Sequence, residues 1–143
     1  MLKYRRIITF LLLSLFAITA WAQPDANSLY QQALSNYADG HYREATDTMR
    51  KVIKMAPENS DYQHLLGICY GRLAETANPL FAPALAEKTR KALEKAVQLD
   101  GNNVSALRDL MEYYRQAPWF LGGSKKKADK IEKQLQDMHM SAG

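Results

Sequence analysis

The chain carries few side chains that do chemistry, and their spacing decides what they can be. His41, His64 and His139 are its three histidines, and Cys69 is its single cysteine. They stand far apart, without the short intervals that bring several ligands onto one metal ion. No HExxH pair and no nucleophile elbow occurs, and no acid pair repeats a known catalytic arrangement. His41 reads as a turn residue and His139 as a helix end. Gly122-Gly123-Ser124-Lys125-Lys126-Lys127 puts lysines and free backbone N–H groups at a helix start, a place that can hold an anion. It lacks the spacing of a phosphate-binding loop, so Ser124 reads as a helix cap and the lysines as solvated. The expectation is no enzyme, no metal and no cofactor, and the question becomes what surface the chain presents.

The N-terminus is set aside first. Lys3, Arg5 and Arg6 form a basic start, Ile7–Ala20 is apolar, and Ala20-Trp21-Ala22 is a small-x-small end. That is the pattern of a secretory signal peptide over 1–22, which predicts export with cleavage after Ala22. The apolar run is short for a spanning helix, so membrane contact is expected only through this transient segment. Of 19 Lys and Arg against 15 Asp and Glu, three basic groups and no acid lie within it. The net charge of +4 falls to +1 for residues 23–143, which removes the electrostatic ground for a nucleic-acid partner. A lone Cys69 allows no internal disulfide, so the exported domain must be held by packing.

The remaining chain reads as helices throughout, with no sustained strand alternation. Asp25 is an N-cap for a first helix carrying Leu29, Ala33, Leu34 and Tyr37, ended by Asp39-Gly40. A second spans Tyr42–Met55, before Pro57. Ser60 and Gln63 form a capping-box pattern for a third, which runs to Asn78-Pro79. A fourth covers Ala84–Leu99. Asn103 caps a fifth, which stops before Pro118, and Ser124 caps a last one ending near His139. In the third, Tyr62, Leu66, Tyr70 and Leu73 share a face with Gly67 at its centre. A mid-helix glycine loses about 1 kcal/mol against alanine, so close approach of another helix is the expected reason. That helix is predicted to be Ala84–Leu99.

The helices repeat. Leu29, Gln63 and Leu107 hold equivalent places, 34 and then 44 residues apart. Met49 and Leu93 are also 44 apart, as are Pro57 and Gly101, and Ala45 and Ala128 are 83 apart. A unit of 34 residues with one insertion of ten, which points at the region 75–83, and one of five at 118–122 accounts for all of these, giving repeats of about 26–59, 60–103 and 104–139.

On these residues the chain resembles the tetratricopeptide repeat family. W-x-x-L-G-x-x-Y is met by Leu66, Gly67 and Tyr70 with Gln63 in place of tryptophan. A-x-x-x-F and a closing proline are approximated by Ala45, Met49 and Pro57. The third repeat keeps Leu107, Leu110 and Tyr114, with Met111 where glycine is usual. The stretch Ala117–Gly123 is similar to a form seen in exported members of the family in Gram-negative bacteria, which implies the periplasm of such a bacterium as the location. The resemblance implies an all-α fold of three antiparallel helix pairs stacked as a short right-handed solenoid. It also implies a concave groove for a protein or peptide partner, lined by Asn27, Tyr30, Tyr37, His64, Arg72, Arg108, Glu112 and Arg115. The positions that clamp a C-terminal carboxylate in cytosolic chaperone-binding members hold Tyr30, Leu34, Leu65, Ser105 and Asp109, which are not the required cations. The expected function is an exported adaptor or scaffold. The alternatives are a structural accessory subunit of an envelope assembly, or a small-ligand-binding module. Trp119-Phe120-Leu121 is expected to fold back over the open end of the stack, against the alternative of an exposed aromatic anchor; Phe81 carries the same ambiguity.

Overall fold

Six α-helices and one 3₁₀ turn make up most of residues 24–141, the part of the chain that a computed structural model describes. The predicted signal segment 1–22 lies outside the described residues. The helices are α1 (Ala26–Ala38), α2 (Tyr42–Met55), α3 (Ser60–Thr76), α4 (Ala82–Leu99), α5 (Val104–Gln116) and α6 (Lys125–Ser141), with the 3₁₀ turn at Trp119–Leu121. No strand occurs among the described residues, so the all-α expectation holds.

The helix ends follow local chemistry. Asp25 Oδ1 accepts from the Ser28 N–H at 2.7 Å, and Asn103 Oδ1 from that of Ala106 at 3.0 Å. Ser124 Oγ caps α6 through the Lys127 N–H, at 3.3 Å. The start of α3 differs from expectation. Asn59, not Ser60, is the cap, accepting from the Tyr62 N–H at 3.1 Å. Ser60 already lies inside the helix and its hydroxyl ties neighbouring segments, donating to the Ala96 carbonyl and accepting from Asn103 Nδ2, both at 2.9 Å. Gln63 is buried and donates to the Pro57 carbonyl at 3.1 Å, so its amide is used in packing. A buried amide needs such a partner. α4 begins two residues earlier than expected, with Pro83 in its first turn, where a missing N–H goes unfelt.

The ten-residue insertion is not a loop. α3 has 17 residues against 13 in α1, and α4 has 18 against 14 in α2. The turn between them, Ala77–Phe81, is only two residues longer than Asp39–His41. Four residues are one helical turn, about 6 Å of rise. The α3–α4 hairpin therefore overshoots the α1–α2 turn by about that length. The five-residue insertion has the opposite form: α5 keeps 13 residues, and the extra chain becomes the turn that carries Trp119–Leu121.

Each helix packs against the next in the chain, and α1 with α3 and α3 with α5 also touch. The core has two parts. Ala33, Ala45, Met49, Val52, Leu65, Leu66 and Cys69 form one, and Leu93, Leu107, Leu110, Tyr114, Ala128 and Ile131 the other, with Ile68 packed against both. Gly67 makes the junction possible. A Cβ there would stand 2.9 Å from Leu93 Cδ2 and 3.3 Å from the Leu93 backbone nitrogen, so α4 presses on α3 at that glycine. Cys69 is fully buried, and burial pushes its thiol up to about 12, which keeps it protonated.

The aromatic turn does not fold back as expected. Trp119 is 85% exposed and Phe120 65%, their rings edge to face at 5.8 Å, and only Leu121 turns inward. The end of the helix set is already closed by Ala128 and Ile131 of α6, which leaves the two rings nothing to cover.

Candidate functional site

Helices α1, α3 and α5 start in step, at residues 26, 60 and 104, and side chains 35 and 45 residues apart meet across them. Arg72 Nε of α3 donates to the Tyr37 hydroxyl of α1 at 3.4 Å. His64 Nε2 of α3 stands 2.5 Å from Asp109 Oδ2 of α5. Between these helices runs a cleft of about 380 Å³ lined by Tyr37, Arg72, Glu75, Glu112, Tyr113 and Gln116, with Gly71 and Leu93 beneath. Past Gly71, Tyr113 and Gln116 the same residues open an apolar slot of about 220 Å³ that ends on Pro118 and Leu121.

The cleft is richer in carboxylates than in cations. Arg72 is its one cation, and hydrogen bonds to Tyr37 and to Glu75 (3.0 Å to Oε2) raise its pKa further, so it stays charged. Glu75, Asp109 and Glu112 are the acids, and Glu112 also accepts from Gln116 Nε2. The apolar floor and polar walls suit an extended segment that offers both kinds of group.

Of the eight residues expected to line a groove, Tyr37, Arg72 and Glu112 do so together. His64 joins through Asp109. Tyr30 instead packs its ring on Tyr62, centroids 4.8 Å apart, and burial raises its hydroxyl pKa. Asn27 and Arg108 are exposed and line none of the cleft. Arg115 is drawn to the far side of α5 by an ion pair with Glu132 of α6 at 2.9 Å. Sequence reasoning missed Glu75, Tyr113 and Gln116. Glu75 was hidden by its placement in the insertion, although the pattern Arg72-x-x-Glu75 is an ordinary helical ion-pair spacing.

The floor of the slot depends on the turn after α5. The Tyr113 hydroxyl donates to the Leu121 carbonyl at 2.8 Å, the Gly123 N–H to that of Pro118 at 3.0 Å and the Ser124 N–H to that of Tyr114 at 2.8 Å. Gly122 has φ of 87°, in the left-handed region, and a Cβ there would meet Arg90 Cδ and Nε at 2.7 Å. A Cβ on Gly123 would overlap the Ala117 carbonyl oxygen. Beneath this turn Arg90 Nη1 donates to both oxygens of Glu94 at 2.9 Å, and Glu94 also accepts from the Tyr114 hydroxyl at 2.6 Å. Arg90 Nε is left buried and without a partner under Gly122.

No protein-family model and no curated protein sequence matches this chain. Among the described residues, no three His, Cys, Asp or Glu side chains are grouped as metal ligands would be. No described helix is long and apolar enough to cross a membrane.

Proposed function

We propose that the protein is an exported, periplasmic, tetratricopeptide-type adaptor without catalysis of its own, and that its cleft receives an extended segment of a partner protein. The observation that carries this reading is the cleft between α1, α3 and α5, which joins polar walls to an apolar slot. The helix starts at 26, 60 and 104 repeat the spacing of 34 and 44 residues seen in the sequence, and successive helices pack on one another. Both are what a short solenoid of three pairs needs, since each pair buries its apolar face on the next. With three carboxylates against one arginine, the cleft favours a segment carrying basic residues beside an apolar side chain.

The test is a photo-crosslinking residue placed at Glu112, in the cleft, and at Lys51, exposed on α2. The expected result is a discrete protein adduct from position 112 in the cell envelope, none from position 51, and loss of the adduct in the Tyr37→Ala, Arg72→Ala double variant. Equal labelling from both positions, or an adduct indifferent to the double variant, would overturn the reading.

A further inference from the structure

One end of the molecule gathers apolar side chains that no part of the fold covers. Of the seven large hydrophobics exposed among the described residues, four lie in two turns: Leu80 (78% exposed) and Phe81 (63%), Trp119 (85%) and Phe120 (65%). Both turns follow helices that start in step, α3 and α5, so they sit at the same end. Their proximity is visible in the packing. The 3₁₀ turn lies on α4, Gly122 meets Arg90, and Leu121 shares a slot with Ala86, one turn into the helix that Phe81 precedes. Single exposed apolar residues mean little, but four of seven at one end is a patch.

The shape and charge around them indicate what they meet. The side chains stand on projecting turns, one at the tip of the hairpin that overshoots its neighbour by a helical turn, and of the four only Phe81 borders one of the clefts described here. That cleft, which Phe81 itself lines, has Arg43 and Lys88 in its walls and no carboxylate among its lining residues. Five and six residues after Phe120 come Lys125 and Lys126, both exposed. Both carboxylates of α4 are engaged, Glu87 by Lys91 at 2.8 Å and Glu94 by Arg90 at 2.9 Å. Aromatic and leucine tips flanked by lysine and arginine match the interface of an anionic bilayer, where apolar tips enter the acyl boundary and cations meet headgroup charge.

We propose that this end docks on an anionic phospholipid surface, with Leu80, Phe81, Trp119 and Phe120 inserted at the interface and Arg43, Lys88, Lys125 and Lys126 on the headgroups. The site is separate from the cleft and does not depend on the groove reading. It departs from the sequence expectation that membrane contact is confined to 1–22.

The experiment uses the full chain with Trp21→Phe, which leaves Trp119 as the only indole. Residues 1–22 carry the same sequence in every variant, so binding through them alone cannot account for a change at Trp119. Its emission is followed on vesicles of phosphatidylglycerol and of phosphatidylcholine, each with brominated acyl chains as quencher. The expected result is a blue shift and quenching on phosphatidylglycerol alone. Lys125→Glu with Lys126→Glu should then need about tenfold more lipid, and Phe81→Ser with Phe120→Ser should abolish the response. These positions are exposed, so melting temperatures should not change, and a variant that fails to melt as the parent does is replaced by the single lysine reversal. Emission that stays solvent-like on phosphatidylglycerol overturns the proposal, as does an equal response on both lipids. A photo-crosslinker at Phe120 that yields a protein adduct or a dimer of this chain, instead of a lipid adduct, also overturns it.

Discussion

The chain departs twice from its 34-residue period, and the two departures are built in different ways. In the second pair the ten extra residues lengthen α3 and α4 by four residues each and the turn by two. A turn of helix takes 3.6 residues, so four more extend a helix while bringing its apolar stripe back to nearly the same side. The longer hairpin therefore keeps its packing face and needs no special backbone. In the third pair five residues are too few to give both helices a turn. They become a loop of 3₁₀ turn and glycines, bound to Tyr113 and Tyr114. An insertion that divides into helical turns extends a helix array, whereas one that does not must be stitched to it.

The largest effect expected from this contrast is at Gly123. Alanine there would set a methyl group onto the Ala117 carbonyl, so the whole turn must move and its bonds to Pro118 and Tyr114 are lost. Gly123→Ala should lower the unfolding free energy in urea by about 3 kcal/mol or more. Gly101, in the turn before α5, has nothing within 4 Å of its ideal Cβ. Gly101→Ala should stay within about 0.5 kcal/mol of the parent. Similar losses from the two would mean that the stitched turn is no more constrained than an open one.

The helix starts at 26, 60 and 104 keep the spacing of 34 and 44 residues read in the sequence, and most of the helix ends were legible there. Gly67 announced a close approach, and Leu93 of α4 is what approaches. The form of the insertions was not legible. Residues 75–83 hold Pro79 and Pro83 among alanines, a mixture that reads as loop or helix with equal ease. The outcome rests on Pro83 falling in a first helical turn, where proline is tolerated. That is why Glu75, on the added turn of α3, was absent from the expected groove while Arg72 beside it was present. Arg115 was misplaced for a different reason. Its ion pair with Glu132 of α6 is a tertiary contact that the helical pattern of α5 alone does not show. Ser60 shows the same limit, since a capping pattern says nothing of Ala96 and Asn103, which claim its hydroxyl through tertiary packing. Trp119 and Phe120 look like core residues by type, and their exposure depends on whether α6 has already closed the end of the helix set.

An intermediate effect is expected from removing residues 76–85, which restores the 34-residue spacing of the second pair and makes Leu73–Glu75 the turn between α3 and α4. No residue in that range is buried. The shortened chain should keep its helical circular dichroism signal and lose only about 1 kcal/mol, as surface segments outside a core generally do. The same excision at 118–122 removes Leu121, whose carbonyl holds the Tyr113 hydroxyl, and Gly122, which covers Arg90. That chain should lose cooperativity around α5 and α6. If both excisions are equally mild, the two insertions are equivalent and the contrast fails.

The smallest effect concerns charge at the stitched turn. Burial opposes ionisation of Glu94, but hydrogen bonds from Tyr114 and Arg90, with Lys127 nearby, outweigh it and hold its carboxyl below the ordinary value of 4.5. A carboxylate with a lowered pKa in the folded state adds stability above the unfolded value, and that stability is lost as pH falls through the folded one. The parent should therefore lose stability below about pH 4.5 more steeply than Glu94→Gln, in urea unfolding followed from about pH 6 to about pH 3. Glu87, on the same helix toward the overshooting hairpin, is also held low by Lys91, yet its side chain is half exposed to solvent. Solvent screening leaves such a pair little to contribute, so Glu87→Gln should track the parent at every pH. Parallel profiles for the parent and Glu94→Gln would show that the ion pair under Gly122 contributes no more than one at the surface, leaving glycine geometry alone to hold the turn.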